Sequence, residues 1–335
     1  MVGSLDSMKP VRFTLTILTV ISLCASASHA KTNVMAFMPA DTQFQTVLAG
    51  IRAELDTTYS IDVIDMSKQF NINEAANTCK KKNVKALILM DRKAILAAQD
   101  LQKTDSAFVS MPKFVYMTLM VEATTRDLSN VAGIKFEVPI YTLATNFRII
   151  SQKDFSRVGI FYRKSCSSYI EKAKKLLSKE QFSLQAVCVD CQQNEKTTVQ
   201  GALKVMKKSF DKMVKEQGSE VFLVLADNLV INNASLGEFW LGKVKKKKIP
   251  VIAPLDMLAS SKISLAIFTA DPDLPQLGAQ AANQIIEFFE NETPLESIGF
   301  EPTISIKSTL NQNVAKKLGW KLKAEKLGRI NKFVK

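Results

Sequence analysis

Short apolar runs alternate with helical patterns along almost the whole chain, and no other feature of the sequence limits the fold as strongly. TNVMAFMP (32–39), SIDVIDM (60–66), KALILM (85–90), KFVYMTLM (113–120) and NVAGI (130–134) read as buried strands. Between the first two, Phe44, Val47, Leu48, Ile51 and Leu55 recur at helical spacing. Further helices are expected over 74–82 and 93–102. The series then begins again: RVGIFY (157–162), LQAVCVD (184–190), EVFLVLA (220–226), IPVIAP (249–254) and SLAIFTA (264–270), with helices over 168–180, 197–216, 235–247 and 276–290. Strands separated by helices at this spacing give parallel sheets covered on both faces. Two such series predict an α/β protein of two doubly wound parallel-sheet domains. Ligands of such sheets bind beyond the carboxyl ends of the strands. Two domains facing each other therefore make a cleft able to close by a hinge.

The N-terminal stretch has its own logic. Lys9 and Arg12 precede FTLTILTVISLC (13–24), which carries no charge, and Ser28-His29-Ala30 places small residues at both positions that a signal peptidase reads. This layout predicts a secretory signal peptide over 1–30, cleaved after Ala30, and a periplasmic protein. The apolar run is short for a permanent membrane span. His29 is the only histidine of the 335 residues, so the mature chain has none. That excludes Ser-His-Asp and Cys-His catalysis and any histidine metal site.

Without Lys9, Arg12 and Asp6, the mature chain holds 43 basic and 31 acidic residues, a net charge of +12. Its length suits two domains. The basic residues are spread over helix faces, at 80–82, 172–175, 204–215 and 243–248. They read as solvated surface, with attraction to an anionic envelope or an acidic partner. An exported protein rarely meets nucleic acid, and no nucleic-acid partner is expected. Four cysteines remain, Cys79, Cys166, Cys188 and Cys191, and an even count in an exported chain suggests at least one disulfide. Cys188 and Cys191 have the spacing of a redox pair, but such pairs usually open a helix, whereas these end a strand-like run. Nothing in the cysteine spacing points to a metal.

The sequence contains no phosphate loop, no dinucleotide fingerprint after the first strand, no H-E-x-x-H and no G-x-S-x-G. An exported α/β chain without such signatures reads as a binder, not an enzyme, with no cofactor. An exported enzyme on this scaffold would need a mechanism without histidine.

Four stretches together resemble the periplasmic solute-binding components of ABC transporters, in the branch that includes binders of aromatic amino acids: SNVAGIKFEVPIYTLATNFRII, RVGIFYRKSCSSYIEKAKKLL, VLADNLVINNA, and the C-terminal third from IPVIAPLDM through TADPDLPQLGAQAANQIIEFF to STLNQNVAKKLGW. The family's polar loop often reads Ser-Glu-x-Asn-Ser; here it is Lys164-Ser165-Cys166-Ser167-Ser168. Where the family often has aromatic residues before its last long helix, Leu274 and Pro275 stand. The resemblance implies a type I periplasmic binding fold with three crossings between domains. The first domain is expected over 31–147 and 271–300, the second over 148–270 and 301–335. It implies capture of a small polar, amino-acid-like ligand by cleft closure, an ABC permease in the inner membrane as partner, and a monomer. A ligand-sensing subunit of a membrane receptor is the alternative on the same fold.

The expected ligand residues follow strands. In the first domain they are Asp41, Thr42, Gln43 and Asp91; in the second, Ser165, Ser167, Ser168, Asp227, Asn228 and Asp256, with Asp273 at the last hinge. Ser167 or Ser168 can cap a helix whose free N–H groups suit an anion. Asp227 ends a buried strand, where a carboxylate needs a partner, either a ligand ammonium or a neighbouring basic side chain. Arg92 could clamp a carboxylate, and Tyr116 and Phe136 could stack on a flat ligand, although helix surface and core packing account for them as well. Cys166 follows one strand and Cys191 the next, so neighbouring strands would let them pair. The expected disulfide is Cys166 with Cys191, with Cys188 as the alternative partner.

Overall fold

The computed structural model describes residues 31–335 except 56, 69 and 192–197. The expected signal segment, with His29 and the cleavage point after Ala30, lies outside the described residues. Among the described residues, no helix is long and apolar enough to cross a membrane.

Thirteen strands are described: β1 Thr32–Met38, β2 Tyr59–Asp65, β3 Ala86–Met90, β4 Lys113–Tyr116, β5 Val131–Lys135, β6 Arg157–Tyr162, β7 Ser183–Cys188, β8 Val221–Leu223, β9 Val251–Ala253, β10 Phe268–Pro272, β11 Phe300–Pro302, β12 Ile306–Asn311 and β13 Lys332–Val334. They form two sheets, in the orders β11-β5-β4-β3-β1-β2 and β13-β12-β10-β9-β8-β6-β7. Every pair of the first sheet is parallel. The second sheet is parallel except where β10 meets β12. Continuous burial of β3 is the mark of a strand covered on both faces. The two α/β domains expected from the alternation are therefore present.

Three differences from the sequence reading have local causes. The run at 113–120 stops at Tyr116, because Met117 and Met120 take φ of 55° and 54° and turn the chain away. The helix Ile140–Ile150 was not recognised, since its apolar residues run continuously into those of the crossing. The segment expected as a helix over 235–247 is a π-helix from Leu236 to Val244 and then a short 3-10 turn.

The chain passes between the sheets three times. It leaves β5 of the first sheet through Phe136–Pro139, and the helix Ile140–Ile150 buries Leu143, Phe147 and Ile150 in the core of the second. It leaves β10 of the second sheet at Asp273, and the helix Leu274–Phe289 buries Leu277, Ala281 and Ile285 in the core of the first. It returns through Thr303–Ser305 from β11 to β12.

The second passage depends on close contact between helices. Leu274–Phe289 lies against Thr42–Glu54 so tightly that a Cβ on Gly278 would sit 2.4 Å from the Val47 carbonyl oxygen and 2.7 Å from the Gly50 Cα. A Cβ on Gly50 would sit 2.5 Å from the Pro275 carbonyl oxygen. Backbone atoms cannot swing aside as a side-chain end can, so only glycine permits this approach. Gly278→Val is expected to lower unfolding stability by about 1–3 kcal/mol, an overpacking cost, in a denaturant titration. An unchanged midpoint would show that the helices separate without penalty.

Candidate functional site

The carboxyl ends of strands from both sheets converge on one cavity of about 180 Å³. Its first wall comes from Gln43 after β1, Leu119 and Met120 after β4, and the crossing residues Phe136, Glu137 and Val138. Its second wall comes from Cys166 and Tyr169 after β6, Leu225–Asp227 after β8, Pro254 and Leu255 after β9, and Asp271 and Pro272 at the end of β10. Most of this lining is apolar. Among the described residues, the charged side chains in it are Glu137, Asp227 and Asp271, and no cation lines it.

The three carboxylates differ in environment. Asp227 is already paired: Arg163 Nε stands 2.8 Å from its Oδ2, and the Leu229 N–H donates to its Oδ1 at 2.7 Å. The same guanidinium donates to Asn228 Oδ1 at 2.7 Å, so Arg163 is held by two neighbouring residues of one turn. Glu137 accepts from the Met120 N–H. Burial pushes its pKa up against that hydrogen bond, with Lys135 lowering it and Glu122 raising it. Asp271 is pushed up to about 7, first by burial and then by the Asp256 carboxylate; the Asp256 N–H and the Lys332 ammonium act the other way. Glu137 and Asp271 thus lie at a desolvated site without a full counter-charge.

The helix Thr42–Glu54 opens beside the cavity, at Gln43. Its N-cap, Asp41, makes no side-chain capping hydrogen bond, so the first-turn N–H groups have no side-chain acceptor there. Uncapped N–H groups at a helix start suit an anion.

The structure distributes the expected ligand residues unevenly. Gln43 and Asp227 line the cavity. Ser165 and Ser168 line an adjoining cavity of about 430 Å³ that shares Met120, Glu137, Ile140 and Tyr169 with the first. The Ser167 hydroxyl donates to the Lys164 carbonyl. Asp41 and Thr42 start their helix just outside the lining, and Asn228 is exposed beside Arg163. Asp91 stands at the N-cap position of the helix after β3 with φ of 90°, makes no side-chain capping hydrogen bond, and is not part of the lining. Asp256 stands behind Asp271 and pairs with Lys332 at 2.8 Å, while Asp273 pairs with Lys307 at 3.0 Å. Tyr116 is fully buried and donates to the Ala281 carbonyl, as core packing requires.

Glu137 and Asp271 were not singled out in the sequence, nor were Tyr169 and Met120. A signal existed for the two acids. Glu137 stands two residues beyond β5 and Asp271 at the end of β10, each within two residues of a proline, Pro139 or Pro272. The residue before a proline is biased to extended backbone, which projects a strand end beyond its sheet.

The expected Cys166–Cys191 disulfide is not present. Cys188 is bonded to Cys191 instead, with Cα atoms 5.6 Å apart. Strands β6 and β7 are indeed neighbours, with Tyr162 opposite Cys188. Cys166, however, turns inward, 4 % exposed, into the core of the second sheet and the cavity wall, and is a free thiol. Asp190, between the bonded cysteines, accepts from the Lys164 N–H at 2.6 Å, which fastens this turn to the one after β6. Among the described residues, the one grouping able to hold a metal is Cys188, Asp190 and Cys191, and its sulfurs are joined to each other.

No family model matches the chain, and no curated sequence matches it. Many solved structures do. The ligand-free, open structure of a substrate-binding protein with adhesive properties from Clostridium difficile is 15 % identical, with 91 % of this chain and 99 % of that one covered at a TM-score of 0.62. A conserved domain protein from Vibrio cholerae is 16 % identical, with 90 % and 99 % covered at 0.56. An ABC domain in complex with L-Trp from Streptococcus pneumonia is 13 % identical, with 91 % and 100 % covered at 0.54. At these identities the likeness is one of fold. The chain has the two-domain α/β fold of type I solute-binding proteins.

Two results are expected from this geometry. Asp227 is 14 % exposed and Arg163 32 %, so Arg163→Ala should strand a largely buried carboxylate and cost about 1–3 kcal/mol of unfolding stability. A loss below a few tenths would mean that water replaces the guanidinium. Asp271 titrates near 7 in the folded chain and near 3.9 when unfolded. Between those values the folded state holds the extra proton, so Asp271 makes stability fall as pH rises from about 4 to about 7. Asp271→Asn should flatten that part of the melting-temperature profile; a profile identical to the parent's would contradict the assignment.

Proposed function

We propose that this chain is the periplasmic solute-binding component of an ABC transporter, and that it captures a small amino-acid-like solute by closing its two domains on it. The observation that carries this reading is the cavity where strand ends of both sheets meet, with apolar walls and the carboxylates Glu137 and Asp271 lacking a full counter-charge. An ammonium group entering between them supplies that charge, and in a desolvated site a charge-assisted hydrogen bond is strong. Arg163 cannot compete, because it is spent on Asp227. The solute's carboxylate would meet the uncapped start of the helix Thr42–Glu54, and its apolar body would lie against Phe136, Tyr169 and Leu225. Tyr169 and Phe136 can also present ring faces to a cation.

In this reading Asp227 shapes the second wall through Arg163 and does not hold the ammonium. The protein works without chemistry or cofactor. It acts as an exported monomer and presents its closed form to a permease in the inner membrane. In this reading the hinge runs through Phe136–Pro139, the residues around Asp273, and Thr303–Ser305, the three passages between the sheets.

A thermal-shift screen of residues 31–335, freed of bound ligand by unfolding and refolding, tests the reading. The panel holds amino acids, simple amines, sugars and dicarboxylates. A ligand at one hundred times its Kd adds about 2.7 kcal/mol of stability. The expected result is a shift with an amino acid, a smaller one with its decarboxylated amine, and none with sugars or dicarboxylates. Glu137→Gln and Asp271→Asn should each weaken that binding by about tenfold or more, the loss of one charge-assisted hydrogen bond. A sugar or dicarboxylate as the sole hit, or affinity unchanged in both variants, would contradict the assignment.

A further inference from the structure

Charge is divided between the two sheets' domains far more sharply than the total suggests. The parts built on the first sheet, 31–137 and 273–302, hold 13 basic and 18 acidic residues, a net of −5. The parts built on the second sheet, 138–272 and 303–335, hold 30 basic and 13 acidic residues, a net of +17.

A dense part of the excess lies on one face of the second sheet. The helix Val199–Lys215 buries Leu203, Met206, Phe210 and Met213 against that face, together with Phe239 and Trp240 of the π-helix. The acidic residues where these two elements meet are consumed there: Asp211 by Lys243 at 2.7 Å and Glu238 by Lys207 at 2.6 Å. Lys204, Lys208 and Lys212 follow at i, i+4 and i+8 on the outer side of the helix, with Lys215 beyond, and all four are exposed. Lys245–Lys248 add four more exposed ammonium groups. Lys215 and Lys247 both lower the pKa of Asp211, so the two groups border the same carboxylate. Among the described residues, none of these eight lysines makes an ion pair. Like charges at i, i+4 repel each other, and among the described residues no ion pair relieves that repulsion along the stripe.

We propose that this face docks on an anionic phospholipid surface, holding the protein at the membrane with the second domain down and the acidic first domain away from it. The residue type favours a lipid surface over an acidic protein. The second domain has 26 lysines and four arginines, and three of those arginines, Arg148, Arg157 and Arg163, are ion-paired within the fold. Protein interfaces favour arginine and aromatic residues and are poor in lysine. Lysine is a flexible point charge without the rigid fork that a fixed partner rewards, and it suits a fluid layer of headgroups. The inference does not depend on what the cavity binds.

Co-sedimentation with vesicles tests it, using phosphatidylcholine alone and phosphatidylcholine with an equal share of phosphatidylglycerol. The parent protein should sediment with the anionic vesicles at low ionic strength, stay in solution with the neutral ones, and be released by added salt. The quadruple change Lys204→Gln, Lys208→Gln, Lys212→Gln and Lys215→Gln should lower the partition by about tenfold or more. A control, Lys174→Gln with Lys175→Gln and Lys179→Gln, removes charge from a helix packed in the other core of the same domain. It should change partition by less than about twofold, since charges held off the surface by a domain's thickness are screened. Equal behaviour on the two vesicle types, parent-like partition of the quadruple variant, or an equal loss in the control would each overturn the proposal. All substituted side chains are exposed, so unchanged melting temperatures will show that the variants fold.

Discussion

The backbone contact between Gly50 and Gly278 holds the architecture in its two-domain form. It brings the chain, fresh from β10 of the second sheet, back onto the helix that follows β1 of the first. From there the chain can add β11 to the edge of the first sheet and cross once more to β12. Without that return the two domains would be tied by one connection, not three. In the proposed mechanism, three connections restrict the domains to rotating about a common line, the geometry of a hinge.

That line also carries the charge of the cavity. Glu137 lies in the first passage between sheets, and Asp271 at the end of β10, just before the second. Both are desolvated, and both have neighbours that only partly answer their charge. A cation bound there acts on the hinge segments directly, so in the proposed mechanism the energy of binding and the angle between domains are coupled at the same residues. Asp227 follows a different rule. Its Arg163 partner makes it part of the wall, and a buried pair of this kind holds shape without calling for a ligand.

Much of the fold was legible because parallel strands covered on both faces must be almost wholly apolar, and helices between them must show one apolar face. Phe44, Val47, Leu48 and Ile51 identify their helix unambiguously, and each is buried. The short terminal strands β11 and β13, three residues each, carry too few positions for a period to show. The cavity was less legible. Residues after strands could be enumerated, which found Gln43 and Asp227, but which loops point inward depends on how the crossings set the domains. Glu137 belongs to a crossing and Asp271 to the strand end just before one, and both positions read in sequence as connectors. The disulfide failed for a similar reason. Adjacent strands bring Cys166 and Cys191 into range, but whether a side chain faces the core or the neighbouring turn is settled by packing, and Cys166 faces the core.

The central claim is that the cavity between the sheets holds an ammonium-bearing solute on Glu137 and Asp271. Native mass spectrometry of the protein purified from exporting cells without unfolding measures this most directly. The account predicts a fraction of molecules heavier by the mass of one small amine-containing compound, and loss of that species in the Glu137→Gln, Asp271→Asn double variant. A protein found only at its bare mass after gentle purification in the presence of amino acids, or an adduct that persists in the double variant, would contradict it.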